Sequence, residues 1–361
     1  MYDTGLYDTA ERAILVGTAL GKDSKENAEY SVDELSRLTA TAGAVETARF
    51  IQKRAKPSGA YFVGSGLVES IEQTIEEQKA DLVVFDDLLS PNQQRNLGQK
   101  FGVKVIDRAM LILDIFALHA RSAESRLQVE LAQLEYLLPR LTGLWVHLSR
   151  QRGGIGTKGP GETQLEVDRR QVSQRISILK KKLKKVDKHR QIQRKGRDGY
   201  KKLALVGYTN AGKSTLFNQL TKSDVRRADQ LFSTLDSTTR VMAVRYPQKV
   251  VLTDTVGFIE KLPHQLVASF KSTLEEVQRA DLILLVVDCS DPYRERKISA
   301  VRTVLADIGA DRIPYMTIHN KIDLLSGTNP PELLTNSILP ISALSGQGLI
   351  RLKTEIISRF G

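Results

Sequence analysis

The chain has 361 residues, 41% of them hydrophobic, with a formal net charge of +11. That is enough apolar material for two or three core-forming domains, yet no run of eighteen apolar residues occurs, which excludes a membrane-spanning helix of ordinary length. Cys289 is the single cysteine, so a disulfide framework is excluded, and Met1-Tyr2-Asp3 begins neither a basic segment nor an apolar export signal. The cytoplasm is the expected compartment. The five histidines have no cysteine or carboxylate companions at ligand spacing, so no dedicated metal site is built from them.

From residue 1 to about 118, strand and helix signals alternate. Ala13-Ile14-Leu15-Val16, Val45 to Ile51, Tyr61-Phe62-Val63, Leu82-Val83-Val84-Phe85 and Val103-Lys104-Val105-Ile106 read as strands, and Ser31-Val32-Asp33-Glu34 reads as a helix-opening capping box. The pattern predicts a small α/β domain with a mainly parallel sheet. Gly64-Ser65-Gly66-Leu67-Val68-Glu69 lacks the third glycine of a dinucleotide fingerprint. A strand-to-helix turn is expected there, with binding of a phosphate group as the alternative.

Between residues 119 and 197 the period becomes helical. Leu127, Leu131, Leu134, Leu138, Leu141, Trp145 and Leu148 recur at alternating spacings of four and three, and Leu165, Val172, Ile176, Leu179, Leu183 and Val186 do much the same. An antiparallel two-helix coiled-coil linker is predicted, with a kink or break at Pro139. Residues 150–162 join the helices and carry five glycines beside Arg150, Arg152 and Lys158. Such a stretch suits a flexible cationic tip that follows an irregular anionic surface; a plain hairpin linker is the alternative.

The charge is concentrated. Lys180 to Lys202 holds twelve Lys or Arg against two Asp, a local excess of ten that includes Lys181, Lys184 and Lys185. A solvated helix face is one explanation. A phosphate-rich partner explains it better, because clustered cations release counterions from nucleic acid.

From residue 198 to 361 a third domain carries the chemistry. Gly207-Tyr208-Thr209-Asn210-Ala211-Gly212-Lys213-Ser214-Thr215 follows the apolar run Leu203 to Val206 and precedes the helix-compatible Leu216 to Leu220. This is a phosphate-binding loop in its strand-to-helix setting. Its glycines let the backbone wrap a polyphosphate, Lys213 adds a point charge, and Ser214 is a ligand for Mg2+. Asn210 either holds K+ beside the phosphates or bonds within its own loop.

The segment Asp229 to Arg240 is expected to close over a γ-phosphate, with Thr234 completing the Mg2+ shell and Thr238 as its competitor. Asp254-Thr255-Val256-Gly257 ends the strand Val250 to Thr253 and supplies metal support from Asp254 and a γ-phosphate contact from the Gly257 amide. Phe258 stands where a water-orienting glutamine would serve, so slow, partner-stimulated hydrolysis is expected.

Asn320-Lys321-Ile322-Asp323 follows the strand-like Ile313 to Ile318. An Asp carboxylate there accepts from two guanine nitrogens, a pattern adenine cannot match. Ser342-Ala343-Leu344, after Ile338 to Ile341, fits a second base-contacting loop. The set predicts a mixed, mostly parallel P-loop GTPase domain whose ligands are GTP or GDP with Mg2+, and K+ where Asn210 takes its cation role. Lys213, Thr234 and Gly257 are the candidate catalytic positions.

Taken with Gly159-Pro160-Gly161-Glu162, Leu165-Glu166-Val167-Asp168-Arg169-Arg170 and Phe232-Ser233-Thr234-Leu235-Asp236, these motifs resemble those of HflX-type GTPases, in the Obg–HflX group of translation-factor-related GTPases. The resemblance covers essentially the whole length. It implies a ribosome-stimulated GTPase that binds the 50S subunit, reaches 23S rRNA near the peptidyl transferase centre, and splits or rescues stalled 70S ribosomes under heat or other stress. The alternative is a GTP-controlled large-subunit assembly or RNA-binding checkpoint without splitting. A monomer is expected, with Arg150, Arg152, Lys158, Lys181, Lys184 and Lys185 as rRNA contacts. Relatives commonly carry lysines where Ser65 and Leu67 stand, and contacts through the further C-terminal domain of some members are not assumed for this chain.

Overall fold

A computed structural model describes residues 10–141, 160–195, 199–223, 231–232, 235–242, 249–261, 271–325 and 338–360. By contact density the chain divides into two units, one of residues 1–118 with 130–180 and one of 119–129 with 181–361.

The first unit holds a four-stranded sheet of order β2-β1-β3-β4: β1 (Arg12–Leu20), β2 (Val45–Arg54), β3 (Leu82–Phe85) and β4 (Lys104–Asp107). All three pairings are parallel. The connecting helices are α1 (Lys25–Thr41), α2 (Ser65–Gln78) and α3 (Pro91–Phe101), followed by α4 (Arg108–His119). Strands β1 and β3 are buried along nearly their whole length because helices cover such sheets on both faces. Their core joins Ile14, Val16, Val83 and Phe85 to Ile71, Leu97 and Val105.

Two local expectations fail here. Ser31 lies inside α1, whose actual cap is Ser24, with its hydroxyl accepting from Asn27 N. Ser31 donates instead to Asp86 at 2.7 Å, and Arg108 pairs with both Glu34 and Asp86 in the interior. A buried ion cluster therefore uses the residues that locally imitate a capping box. Tyr61-Phe62-Val63 forms a turn closed by a Ser58–Phe62 bridge, with Phe62 in the left-handed region at φ 66°. Gly64 caps α2, the strand-to-helix role expected for its glycine turn in the form of a loop-to-helix turn.

Helix α5 (Ala123–Leu137) gives way to a 3-10 turn, Leu138–Arg140, at Pro139. The missing proline N–H and its ring force the change. Helix α6 (Pro160–Lys195) begins inside the stretch expected to form the tip, because proline is accepted at a first helical position. Arg175 pairs with Glu130 and Lys180 with Glu135, joining the two helices. Arg150, Arg152 and Lys158 lie outside the described residues, while Lys181, Lys184 and Lys185 are exposed on α6.

The second unit contains a six-stranded sheet of order β10-β9-β8-β5-β7-β6. Its strands are β5 (Lys201–Gly207), β6 (Thr238–Val241), β7 (Val250–Asp254), β8 (Leu282–Asp288), β9 (Tyr315–Asn320) and β10 (Ile338–Pro340). Only β6 is antiparallel. It starts three residues before the expected Val241 to Val244, because Thr238 to Val241 pair with β7. Helices α7 (Lys213–Thr221), α8 (Lys271–Gln278), α9 (Arg294–Asp307) and α10 (Leu349–Ser358) complete the unit. Leu205, Leu216, Phe217, Leu252, Leu284, Ile318, Leu352 and Ile356 share one core. Among the described residues, no helix is long and apolar enough to cross a membrane.

Candidate functional site

The site forms where β5, β7, β8 and β9 end, the edge at which open α/β sheets gather ligand-binding loops. β5 delivers Gly207, whose absent side chain matters: a Cβ there would lie 2.3 Å from the Val286 carbonyl oxygen on β8. Gly207→Ala should therefore cost about 3 kcal/mol through overpacking. The check is a lower urea midpoint at unchanged m; equal midpoints would remove the argument.

The loop then turns through Asn210 at φ 60° and Gly212 at φ 88°, opening α7 at Lys213. This brings the first-turn amides of α7 to the loop, where their dipoles favour an anion. Lys213 Nζ donates to the carbonyls of Gly207 at 3.1 Å and Tyr208 at 2.7 Å. Burial pushes its amine from 10.5 down to about 8, with Asp254 opposing the shift. Because the lowered value favours the neutral form in the fold, the free protein gains stability as pH rises from about 8 towards 10.5. Nucleotide affinity runs the other way, falling towards tenfold per pH unit above about 8 as the charge is lost. Opposite pH trends in melting of the free protein and in fluorescent GDP binding would establish this; parallel trends would refute it.

β7 delivers Asp254, fully buried, and its Oδ2 accepts from Ser214 Oγ at 2.7 Å. Hydroxyl and carboxylate thus meet as an all-oxygen donor set of the kind hard divalent cations prefer. Past β7, Thr255 Oγ1 ties the chain to Leu205 O, and Gly257 passes so close to the phosphate loop that a Cβ would be 3.1 Å from Lys213 Nζ. Phe258 locks the two loops together: Thr209 N donates to its carbonyl at 2.8 Å and its N donates to Gly207 O at 3.1 Å. Its ring is buried. The apolar side chain therefore packs inward and leaves water orientation to other groups.

The third loop is bonded to the first. Asn320 Nδ2 donates to Ala211 O at 2.9 Å and its Oδ1 accepts from Ala343 N at 2.9 Å. Asn320 fastens the base loops onto the phosphate loop. A Cβ on Gly212 would collide with it at 2.3 Å. Lys321 adopts the left-handed region at φ 68°, and its amine pairs with Asp288 at 2.7 Å. Asp323 follows in an exposed 3-10 turn, Ile322–Leu324. Ser342 is buried and accepts from Ser345 N, Ala343 is buried, and Leu344 is exposed.

Gly207 to Thr215, Asp254, Gly257, Asn320 to Asp323 and Ser342 to Leu344 thus gather around one strand edge, whereas Thr234 lies outside the described residues. Two contributors, Asp288 and Thr239, were not singled out from sequence, and Tyr208, expected in the phosphate loop, makes a bond outside it. Asp288 carries the Lys321 ion pair, Thr239 bonds Thr253 at 2.9 Å, and Tyr208 OH accepts from Glu260 N at 2.8 Å. Asp288 closes the strand β8 next to the site, a position that could have flagged it; Thr239 has no local signal.

The families described as GTP-binding GTPase N-terminal, GTP-binding GTPase Middle Region and 50S ribosome-binding GTPase match residues 29–117, 119–197 and 202–321. GTPase HflX of Caldanaerobacter subterraneus subsp. tengcongensis is 50% identical over 88% of this chain and 75% of its own length. GTPase HflX of Escherichia coli K12 is 44% identical over 98% of this chain and 84% of its own length. The chain belongs to the HflX GTPase family. As an HflX-family GTPase it binds and hydrolyses GTP, which fits the phosphate loop and the exposed Asp323. A solved structure of SsGBP with GDP is 25% identical, covers 96% of this chain and 98% of that chain, and has a TM-score of 0.49.

Proposed function

We propose that this HflX-family member is a cytoplasmic, monomeric factor that binds the 50S subunit and splits or rescues stalled 70S ribosomes, with GTP hydrolysis stimulated by the ribosome. The observation that carries the reading is the joining of a GTPase domain to α6, whose exposed Lys181, Lys184 and Lys185 belong to a stretch with ten excess positive charges. Such a stretch suits rRNA phosphates, and the buried Phe258 ring suits a hydrolase that waits for its partner. The working parts are an N-terminal domain to residue 118, a helical lever from 119 to 197 and the GTPase domain from 198. Arg150, Arg152 and Lys158, in the glycine-rich stretch of the sequence, would contact 23S rRNA near the peptidyl transferase centre.

At the nucleotide, Lys213 and the loop amides take the phosphates and Asp323 takes guanine, with Asn320 and Ser342 setting the base loops. Ser214 and Asp254 would hold Mg2+ with Thr234; the metal supplies charge neutralisation between phosphate oxygens. Asn210 would hold K+. Hydrolysis faster in K+ than in Na+ by about tenfold or more is the expected sign of a cation that stabilises developing charge, and equal rates would dismiss that role for Asn210.

The experiment for the function is a sucrose gradient of 70S ribosomes with the protein and either a GTP analogue or GDP. Loss of the 70S peak with the analogue alone is expected. Intact 70S carrying bound protein would reject splitting, and binding confined to immature large subunits would favour the assembly-checkpoint alternative.

A further inference from the structure

One contact in the second unit lies outside the nucleotide loops and joins them to the lever. Asp236, in the segment that precedes β6, sits at the N-terminus of α5. Its Oδ2 accepts from the backbone N of Ser122 at 3.1 Å and of Arg121 at 3.3 Å, and its Oδ1 accepts from the Ser122 hydroxyl at 2.5 Å. The same hydroxyl accepts from Ser125 N at 3.0 Å, the ordinary act of an N-cap. Asp236 therefore reinforces the cap of α5 from a distance of more than a hundred residues in sequence, placing a carboxylate where the helix dipole favours it.

Residues on both sides of Asp236 are committed. Leu235 is buried at 2% exposure, and Thr238, two residues on, begins the pairing with Asp254, the carboxylate that bonds Ser214. A shift in this segment cannot leave Asp236 in place. At the other end, the turn that closes α5 is fastened within the first unit. Arg140 donates to Gln94 Oε1 at 2.9 Å and Leu89 O at 2.8 Å, pairs with Asp107 at 3.5 Å, and lies 3.6 Å over the Tyr136 ring.

We propose that Asp236 is a positioning residue that couples the nucleotide-sensing segment to α5, so that the state of the bound nucleotide is read out as formation or release of the α5 cap. The coupling rests on the reading of residues 229–240 as the segment that responds to the γ-phosphate. A ligand moves such an equilibrium only by binding the two states unequally, and an acceptor shared between loop and helix is the element that carries the difference.

The test is amide hydrogen exchange of the full chain with a GTP analogue and with GDP, comparing wild type, Asp236→Ala and Ser122→Ala. In the wild type, amides 122–126 should be protected more in one nucleotide state by about fivefold, the worth of an N-cap. In Asp236→Ala that difference should vanish, and in Ser122→Ala, which keeps the backbone N–H bonds to Asp236, it should shrink, while residues 235–240 still respond and the affinity for fluorescent GTP stays within about twofold, since neither side chain touches the phosphate or base loops. Wild-type α5 amides indifferent to nucleotide while 235–240 respond would overturn the coupling alone. Indifference of both segments would overturn it together with the switch reading beneath it. A nucleotide-dependent difference in α5 that persists in Asp236→Ala would also overturn it.

Discussion

Asp323→Asn should move base preference from guanine towards xanthine. The carboxylate stands in an exposed 3-10 turn, so the amide fits without disturbing the fold. Guanine offers two N–H donors, and an amide side chain turns one acceptor into a donor aimed at a donor. A site built for such a pair loses about 10²-fold or more when it is mismatched. Xanthine replaces the exocyclic amine by a carbonyl and restores the match. Displacement of fluorescent GDP by GTP and by XTP measures both sides, and unchanged GTP preference would refute the role of Asp323. The neighbouring Asn320 behaves differently: because it clamps Ala211 and Ala343, Asn320→Ala should weaken every nucleotide regardless of base.

Lys213→Ala should lower kcat/KM for GTP by about 10²–10³, the scale of removing one aimed donor from a site that develops negative charge. Lys213 is buried and its amine is held by two loop carbonyls, so it needs little reorganisation to meet an anion. Lys213→Arg should not rescue, because a planar guanidinium is too wide for a pocket shaped around a point charge. Steady-state hydrolysis with circular dichroism of each variant separates this from unfolding. Activity of the arginine variant near wild type would show that charge alone matters.

Much of the GTPase domain was legible because its loops need particular residues. A glycine that would otherwise strike Val286 and a Lys at the first position of α7 leave few alternatives at residues 207–215. The strands of both sheets showed as β-branched and apolar runs, since parallel strands are buried on both faces. Legibility failed where meaning depended on a distant partner. Ser31 and Glu34 spell a capping box locally, yet Arg108 and Asp86, far along the chain, claim both side chains. Phe62 reads as a strand residue and adopts a left-handed turn. Asn320 carries the same letter whether it faces a base or clamps two loops, and only the positions of Ala211 and Ala343 decide. Asp236 likewise shows nothing of Ser122 in its neighbourhood.

The central claim is that guanine nucleotide governs how firmly a cationic lever holds ribosomal RNA, and binding to isolated 50S subunits across a KCl series tests it most directly. The comparison is wild type against a variant with Lys181, Lys184 and Lys185 changed to Gln, each with a GTP analogue and with GDP. Wild type should bind at least about tenfold more tightly with the analogue, the scale of a coupling between two sites. The variant should lose affinity and shed about 2–3 from the slope of log affinity against log salt, one phosphate contact per lysine. Equal affinity in both nucleotide states, with the slope unchanged in the variant, would contradict it.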